Sequence, residues 1–296
     1  MRIINLAYPE KSDIKFKISK FPDGQQTIDI ESGRSFIQGK DICINTRIST
    51  FRDLELIIAA NQALHEMAAS TVSLYVPYFL GARSDRKFQE GGVNYLKHVI
   101  CPVINSQKFN SIIILDPHSD VLEACLDNYD KVSNLTVVKN SLASIDNRDG
   151  AQDRIVLVSP DGGALKKIYD VAEEFQIPNI VTAMKHRDNK TGKITHTEVP
   201  DLSKFGEDHK FVIVDDICDG GRTFIELSKA IRKQNAISEI YLIVTHGIFS
   251  SGLTELSNHF TKIYTTNSVK DIVTDVEDTD TERAAKLTVT QFNVFA

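Results

Sequence analysis

Apolar residues in this chain come in short unbroken runs at 72–79, 111–115, 154–158, 211–214 and 239–244, each leaving into polar or glycine-rich sequence. A strand that is apolar at nearly every position is covered on both faces, so these runs predict buried parallel strands. Elsewhere the spacing changes to the helical period. It does so at Leu54, Ile57, Ile58, Leu64, Met67 and Ala68, then at Ala164, Leu165, Ile168, Val171, Ala172 and Phe175, and again at Phe224, Leu227 and Ile231. Strands alternating with helices predict an α/β fold in which mainly parallel sheets are flanked by helices.

The least apolar stretch, 134–154, contains Lys139-Asn140-Ser141 and Asn147-Arg148-Asp149-Gly150 and predicts a connection between two α/β domains. The expected division is 1–140 and 141–296, with the last residues candidates for packing back on the first domain. The halves also echo one another. Ile114-Leu115-Asp116-Pro117-His118-Ser119-Asp120 and Val214-Asp215-Asp216-Ile217-Cys218-Asp219 are both apolar strands that end in acids, which suggests a duplicated domain.

Composition narrows the classes of function. A chain of 296 residues with 42% hydrophobic content supports folded cores, and a net charge of −6 argues against a nucleic-acid surface. No apolar stretch approaches the roughly 18–20 residues of a membrane span. The start, Met1-Arg2-Ile3-Ile4-Asn5-Leu6, lacks the apolar run of a secretion signal, so a cytoplasmic protein is expected. Cys43, Cys101, Cys125 and Cys218 show no Cys-x-x-Cys spacing and read as buried thiols, neither zinc ligands nor a disulfide framework.

The densest chemistry lies in Phe211-Val212-Ile213-Val214-Asp215-Asp216-Ile217-Cys218-Asp219-Gly220-Gly221-Arg222-Thr223. Ligands bind at the carboxyl edge of a parallel sheet. Gly220 and Gly221 let several backbone N–H groups converge, and a following helix points its positive end at the same spot, which suits a phosphate. Asp215 and Asp216 cannot hold that phosphate themselves. Carboxylates beside an anion want hydroxyl donors or a cation, so a phosphorylated sugar, with or without magnesium, is the economical ligand. Val158-Ser159-Pro160-Asp161-Gly162-Gly163 repeats the design and reads either as a diphosphate cradle whose Asp161 shares magnesium or as a helix cap. The segment from Ala183 to Lys193 is basic and reads as a solvated connection or as a lid that brings Lys185 and Arg187 to a phosphoryl group in transit.

These motifs resemble phosphoribosyltransferases and, more closely, ribose-phosphate pyrophosphokinases. Ala82-Arg83-Ser84-Asp85-Arg86-Lys87 after a tyrosine-containing strand resembles the latter family's Ala-Arg-Gln-Asp-Arg-Lys, and Phe21-Pro22-Asp23-Gly24-Gln25 its Phe-x-Asp-Gly-Glu nucleotide loop. Leu115-Asp116-Pro117-His118 resembles its Asp-Leu-His metal strand, and Thr245-His246-Gly247-Ile248-Phe249-Ser250 a further family segment. The matches run in family order from about Phe21 to Ser250, nearly the whole chain.

The resemblance implies two phosphoribosyltransferase-like domains with an active site between them, and transfer of a diphosphoryl group from ATP to ribose 5-phosphate. It places Phe21, Asp23, Gln25, Arg83 and Ser84 at ATP, and His118 and Asp161 at magnesium, with manganese a second candidate ion. Lys185 falls on the catalytic lysine position, with Arg187 beside it. Arg187, Asp215, Asp216, Asp219, Gly220, Gly221, Arg222 and Thr223 fall to ribose 5-phosphate. A homo-oligomer, dimer or hexamer, is implied as well. Four residues depart from the family pattern. Gln25 replaces a glutamate, Ser84 a glutamine, Gly220 a threonine and Arg222 a glycine, and after Lys87 the chain lacks the family's basic regulatory loop. Two rival readings are a phosphoribosyltransferase that consumes the same product and a non-catalytic regulatory homologue.

Overall fold

The computed structural model describes the whole chain except residues 188–193, 237–238, 275–276 and 296, and the side chains of the described residues other than 185–187 and 194–196. The chain forms two compact units, Met1–Ser133 with Asn293–Ala296, and Asn134–Phe292.

The first unit runs, in chain order, through β1 (Arg2–Asn5), β2 (Phe16–Lys20), β3 (Gln26–Ile30), α1 (Arg34–Ile37), β4 (Asp41–Asn45), α2 (Asp53–Glu66), β5 (Thr71–Tyr75), α3 (Cys101–Ser106), β6 (Ile112–Leu115), α4 (Val121–Cys125) and β7 (Tyr129–Val132). Five strands form a sheet in the order β1-β4-β5-β6-β7, parallel throughout, and β2 and β3 form a separate antiparallel hairpin. Its core joins the inward residues of the strands, such as Ile44, Leu74 and Ile114, to Leu54, Ile57, Ala60 and Leu64 on α2. Those four helical positions fall on one face because residues three and four apart stack along a helix. Strand order in this sheet advances in one direction only, so no crevice opens from a reversal of topology.

The second unit contains α5 (Leu135–Ile145), α6 (Ala151–Arg154), β8 (Ile155–Ser159), α7 (Leu165–Glu174), β9 (Asn179–Thr182), β10 (Met184–Arg187), β11 (Ile194–Glu198), β12 (Lys210–Cys218), α8 (Arg222–Gln234), β13 (Glu239–Gly247), α9 (Thr254–Ser257), β14 (Lys262–Thr266), α10 (Asp280–Leu287) and β15 (Val289–Phe292). Its sheet is ordered β15-β14-β13-β12-β8-β9, again with parallel pairs. Here the order does reverse. From β8 the chain moves outward to β9, and from β12 it moves the other way to β13, β14 and β15, so the switch point lies between β8 and β12. Open α/β sheets bind ligands at such a point, beyond the carboxyl ends of the strands.

Three sequence expectations are corrected. Residues 134–154 are not a bare connection, because α5 occupies much of them and buries Val137, Val138, Ser141, Leu142 and Ile145. The apolar stripe is real but is diluted by Lys139, Asn140 and Ser144 on the other face. The unit boundary accordingly falls before this helix, at Ser133/Asn134. The second correction is that β12 does not end at Val214. It continues to Cys218, with Asp215 opposite Val244 and Ile217 opposite His246 on β13. Ladder hydrogen bonds use only the backbone, so a strand flanked by a partner runs on past the point where its side chains turn polar. Third, two strand ends differ: β5 stops at Tyr75 instead of reaching 79, and β13 runs on past 244 to Gly247.

Candidate functional site

Asp161 lies just beyond β8 and Asp215 and Asp216 near the end of β12, so two neighbouring strands deliver three carboxylates to the switch point. Asp161 Oδ1 accepts from the backbone N–H of Gly163 at 2.9 Å and of Ala164 at 3.1 Å, which closes the turn that leads into α7. Asp216 is buried, and its Oδ2 lies 3.9 Å from Lys167 Nζ on α7. Asp215 Oδ1 accepts from the N–H of Asp216 at 2.9 Å.

Burial holds the Asp215 carboxyl well above the usual carboxylate range, the adjacent Asp216 charge adds to this, and Asp161 contributes a smaller push in the same direction. Three acids thus share one edge of the sheet, with Lys167 beside Asp216. Carboxylate oxygens can accept hydrogen bonds from hydroxyl donors.

Beyond β12, Gly221 opens α8 in the left-handed conformation, at φ +79°, and a Cβ there would stand 2.8 Å from Leu256 Cδ2. Only glycine fits both the torsion and the space. Gly220 has a different reason: a Cβ at that position would lie 3.0 Å from Ser251 Oγ, so the threonine of the family pattern would press on the 250–251 turn. That turn also reaches Asp219 directly. Ser250 Oγ donates to Asp219 Oδ1, and the N–H of Ser250 donates to the Asp219 carbonyl at 3.3 Å. Arg222 occupies the first position of α8 and is exposed, with Thr223 next to it half-buried. The loop and α8 form an N–H-rich, positive-ended cradle.

Lys185 and Arg187 were expected on a solvated connection. They belong instead to β10, which pairs antiparallel with β11, Lys185 opposite Thr197, with a register shift between His186 and Arg187. Residues 194–198, Ile-Thr-His-Thr-Glu, are β-branched at three of five positions and supply the partner strand that a loop reading leaves out. The side chains of Lys185 and Arg187 lie outside the described ones, as do residues 188–193 altogether.

In the first unit, Phe21, Asp23 and Gln25 form the tip between β2 and β3. The N–H of Phe21 donates to the Gln25 carbonyl at 2.8 Å, and Asp23 Oδ1 accepts from the N–H of Gln25 at 3.1 Å, which closes the turn and leaves the Phe21 ring 52% exposed. A phenylalanine ring half open to water at a hairpin tip offers an apolar face for stacking. Arg83 and Ser84 lie on a different segment, after β5. His118 follows β6 and is exposed, two residues beyond Asp116, which is buried and left-handed at φ +41°. Ser119 Oγ donates to Asp85 Oδ2 at 2.7 Å, which brings the Arg83–Lys87 segment and the His118 loop together.

Sequence reading missed Lys167, Ser250, Ser251 and Leu256. Their positions at the site depend on which strands are neighbours, and only the register of β8, β12 and β13 shows that. Burial pushes the Cys218 thiol up to about 12, with help from Asp215 and Asp219, so this cysteine stays an inert thiol beside the site.

Comparison with known proteins agrees with this geometry. The family model described as "Phosphoribosyl transferase domain" matches residues 126–279, more than half of the chain. The chain therefore belongs to the phosphoribosyltransferase domain family, and the curated relatives it is similar to are ribose-phosphate pyrophosphokinases. A ribose-phosphate pyrophosphokinase of Marinomonas sp. is 27% identical over 236 residues, covering 79% of this chain and 71% of the relative. One from Vibrio vulnificus is 26% identical over 281 residues, covering 94% of this chain and 83% of the relative. The crystal structure of phosphoribosylpyrophosphate synthetase from Mycobacterium smegmatis superposes with a TM-score of 0.76 at 15% identity, over 100% of this chain and 95% of that one, and so shares its fold.

Proposed function

We propose that this chain transfers the β,γ-diphosphoryl group of ATP to the C1 hydroxyl of ribose 5-phosphate, giving 5-phosphoribosyl 1-diphosphate and AMP. The observation that carries the reading is the switch point between β8 and β12, where two glycine-ended acidic loops lie on neighbouring strands and burial keeps Asp215 hard to ionise. In this reading the 5-phosphate rests on the N–H groups of Asp219 to Thr223 and on Arg222, while Asp215 and Asp216 take ribose hydroxyls. The first unit supplies the nucleotide residues, with Phe21 against the purine and Asp23, Gln25, Arg83 and Ser84 as polar contacts.

The C1 oxygen attacks the β-phosphorus, the bond from that phosphorus to the oxygen bridging to the α-phosphate breaks, and AMP departs with that oxygen. The C1 hydroxyl proton leaves to solvent or product phosphate. Lys185 and Arg187 stabilise the charge that spreads over the transferring group, as expected of a reaction whose catalysis is mostly positioning and electrostatics.

Magnesium fits the residues present. The donors at the second unit's carboxyl edge are hard carboxylate oxygens, which suit it. Among the described residues no three His, Cys, Asp or Glu side chains form a ready cage. An ion that takes one or two protein ligands and completes its shell with water and phosphate needs none. We assign His118 and Asp161 as magnesium ligands, with manganese as an alternative ion. When bound, it would neutralise charge on the phosphate oxygens. Among the described residues no helix is long and apolar enough to cross a membrane, and we take the working form to be a cytoplasmic homo-oligomer.

The test is AMP formation by purified protein given Mg2+, ATP and ribose 5-phosphate, with each omitted in turn. AMP only when all three are present supports the reaction. A folded protein that binds nucleotide and makes no AMP refutes it in favour of a regulatory, non-catalytic homologue.

A further inference from the structure

The segment from Gly81 to Tyr95 carries Arg83 and Ser84 but is neither helix nor strand over most of its length, and its own backbone bonds are few. The N–H of Ser84 donates to the Gly81 carbonyl at 2.7 Å, the N–H of Leu96 to the Ser84 carbonyl at 3.2 Å, and Asn94 Nδ2 to the Asp85 carbonyl at 2.6 Å. These close the base of the segment on itself, and its ends are held by burial of Ala82 and Leu96, with Tyr95 packed on the core. Between those ends, one bond ties the segment to the His118 loop from 34 residues away: Ser119 Oγ donates to Asp85 Oδ2 at 2.7 Å, and both residues are half-buried. Ser119 immediately follows His118, and Asp85 immediately follows Ser84.

We propose that the Ser119–Asp85 hydrogen bond is a latch that positions the nucleotide segment on the His118 loop, so that Ser119 and Asp85 set the affinity for the ATP donor without touching it. The inference rests on the proposed reaction for its kinetic readout. A hydroxyl donating to a carboxylate in a half-buried place is a stronger bond than a neutral one. Without it the segment must be ordered by the ligand, and that ordering cost appears as lost affinity. Arg83 and Ser84 then still reach ATP once it is bound, so the loss falls on binding and spares turnover.

The experiment compares wild type with Ser119→Ala, Ser119→Thr, Asp85→Ala and the Ser119→Ala/Asp85→Ala pair. Loss of one charge-assisted bond predicts a rise of about tenfold in KM for ATP in Ser119→Ala. Turnover and KM for ribose 5-phosphate stay near wild type, and Ser119→Thr, which keeps the hydroxyl, restores the ATP KM. A second readout needs no activity. Arg83, Arg86 and Lys87 are exposed trypsin sites. Cleavage there becomes faster in either single variant, and the double variant is no faster than the singles, because both remove the same bond.

An unchanged ATP KM with unchanged cleavage overturns the latch, and so do additive effects of the two substitutions. So does a Ser119→Ala protein whose only change is lower stability to denaturant, which marks a structural bond. If wild type itself makes no AMP, the proposed reaction fails, while the cleavage rates still decide whether the latch exists.

Discussion

Replacing Gly221 by alanine tests the geometry of the phosphate cradle more sharply than any change of charge. The new Cβ would meet Leu256 Cδ2 at 2.8 Å, Cδ1 at 2.9 Å and Cγ at 2.9 Å, while the backbone sits at φ +79°. A left-handed torsion costs a residue with a Cβ about 1–2 kcal/mol, and forcing a methyl into a packed site costs about 1–3 more. Leu256 is buried at 1% exposure among Phe224, Leu227 and Phe249, so it has little room to yield. The expected loss is about 2–5 kcal/mol from the second unit, read by urea unfolding. Affinity for ribose 5-phosphate should fall with it, because relief of the clash moves the start of α8. The control is the same substitution in a Leu256→Ala background, where the three clashing atoms are gone and only the torsional part, about 1–2 kcal/mol, should remain. A loss under 1 kcal/mol, or the same loss in both backgrounds, refutes the reasoning.

Lys185→Ala should lower kcat by about a hundredfold or more while changing either KM by less than threefold, since its charge is assigned to the transition state; steady-state kinetics showing equal loss of binding and turnover would reject that role. Arg222→Gly tests the most unusual residue of the loop. An arginine at the positive end of α8 opposes the helix dipole, so removing it should leave stability unchanged or slightly higher, while affinity for ribose 5-phosphate drops about tenfold if it grips the phosphate. Calorimetric titration with the sugar phosphate measures the second effect. Asp215→Asn should stabilise the fold at neutral pH by about 0.5–2 kcal/mol while weakening sugar binding, a trade expected at a functional site. The sign follows from the raised Asp215 carboxyl: the folded state binds its proton more tightly than the unfolded chain, so stability falls as pH rises from about 4 through the folded value. Denaturation across that window should show the decline in wild type and a flatter profile in the variant.

How much was legible before the fold was known can be judged residue by residue. The apolar runs at 111–115, 154–158 and 211–214 became β6, β8 and β12, and the helical spacings became α2, α7 and α8 with boundaries close to those expected. Burial on both faces writes itself into a parallel strand as unbroken hydrophobicity, and burial on one face writes itself into a helix as a stripe. Edge and amphipathic elements carry weaker signals. β1, β7 and β15 are short, and α5 mixes its apolar stripe with lysine and asparagine, so they were passed over or read as linker. The glycine loop and its acids were also visible, since φ above zero and anion binding both demand glycine next to a helix start.

The sequence by itself determined the class of chain, the positions of its carboxylates and the glycine turn at 220–221, because these follow from local torsion, local periodicity and the chemistry of each side chain. Tertiary structure alone decided which of those groups meet. That β8 neighbours β12, that Lys167 stands beside Asp216, that Ser250 holds Asp219 and that Ser119 reaches Asp85 are all consequences of strand order and register, which join residues 31 to 55 positions apart. Such contacts are fixed by how hydrophobic faces pack across the whole unit, and no local pattern in the chain encodes them.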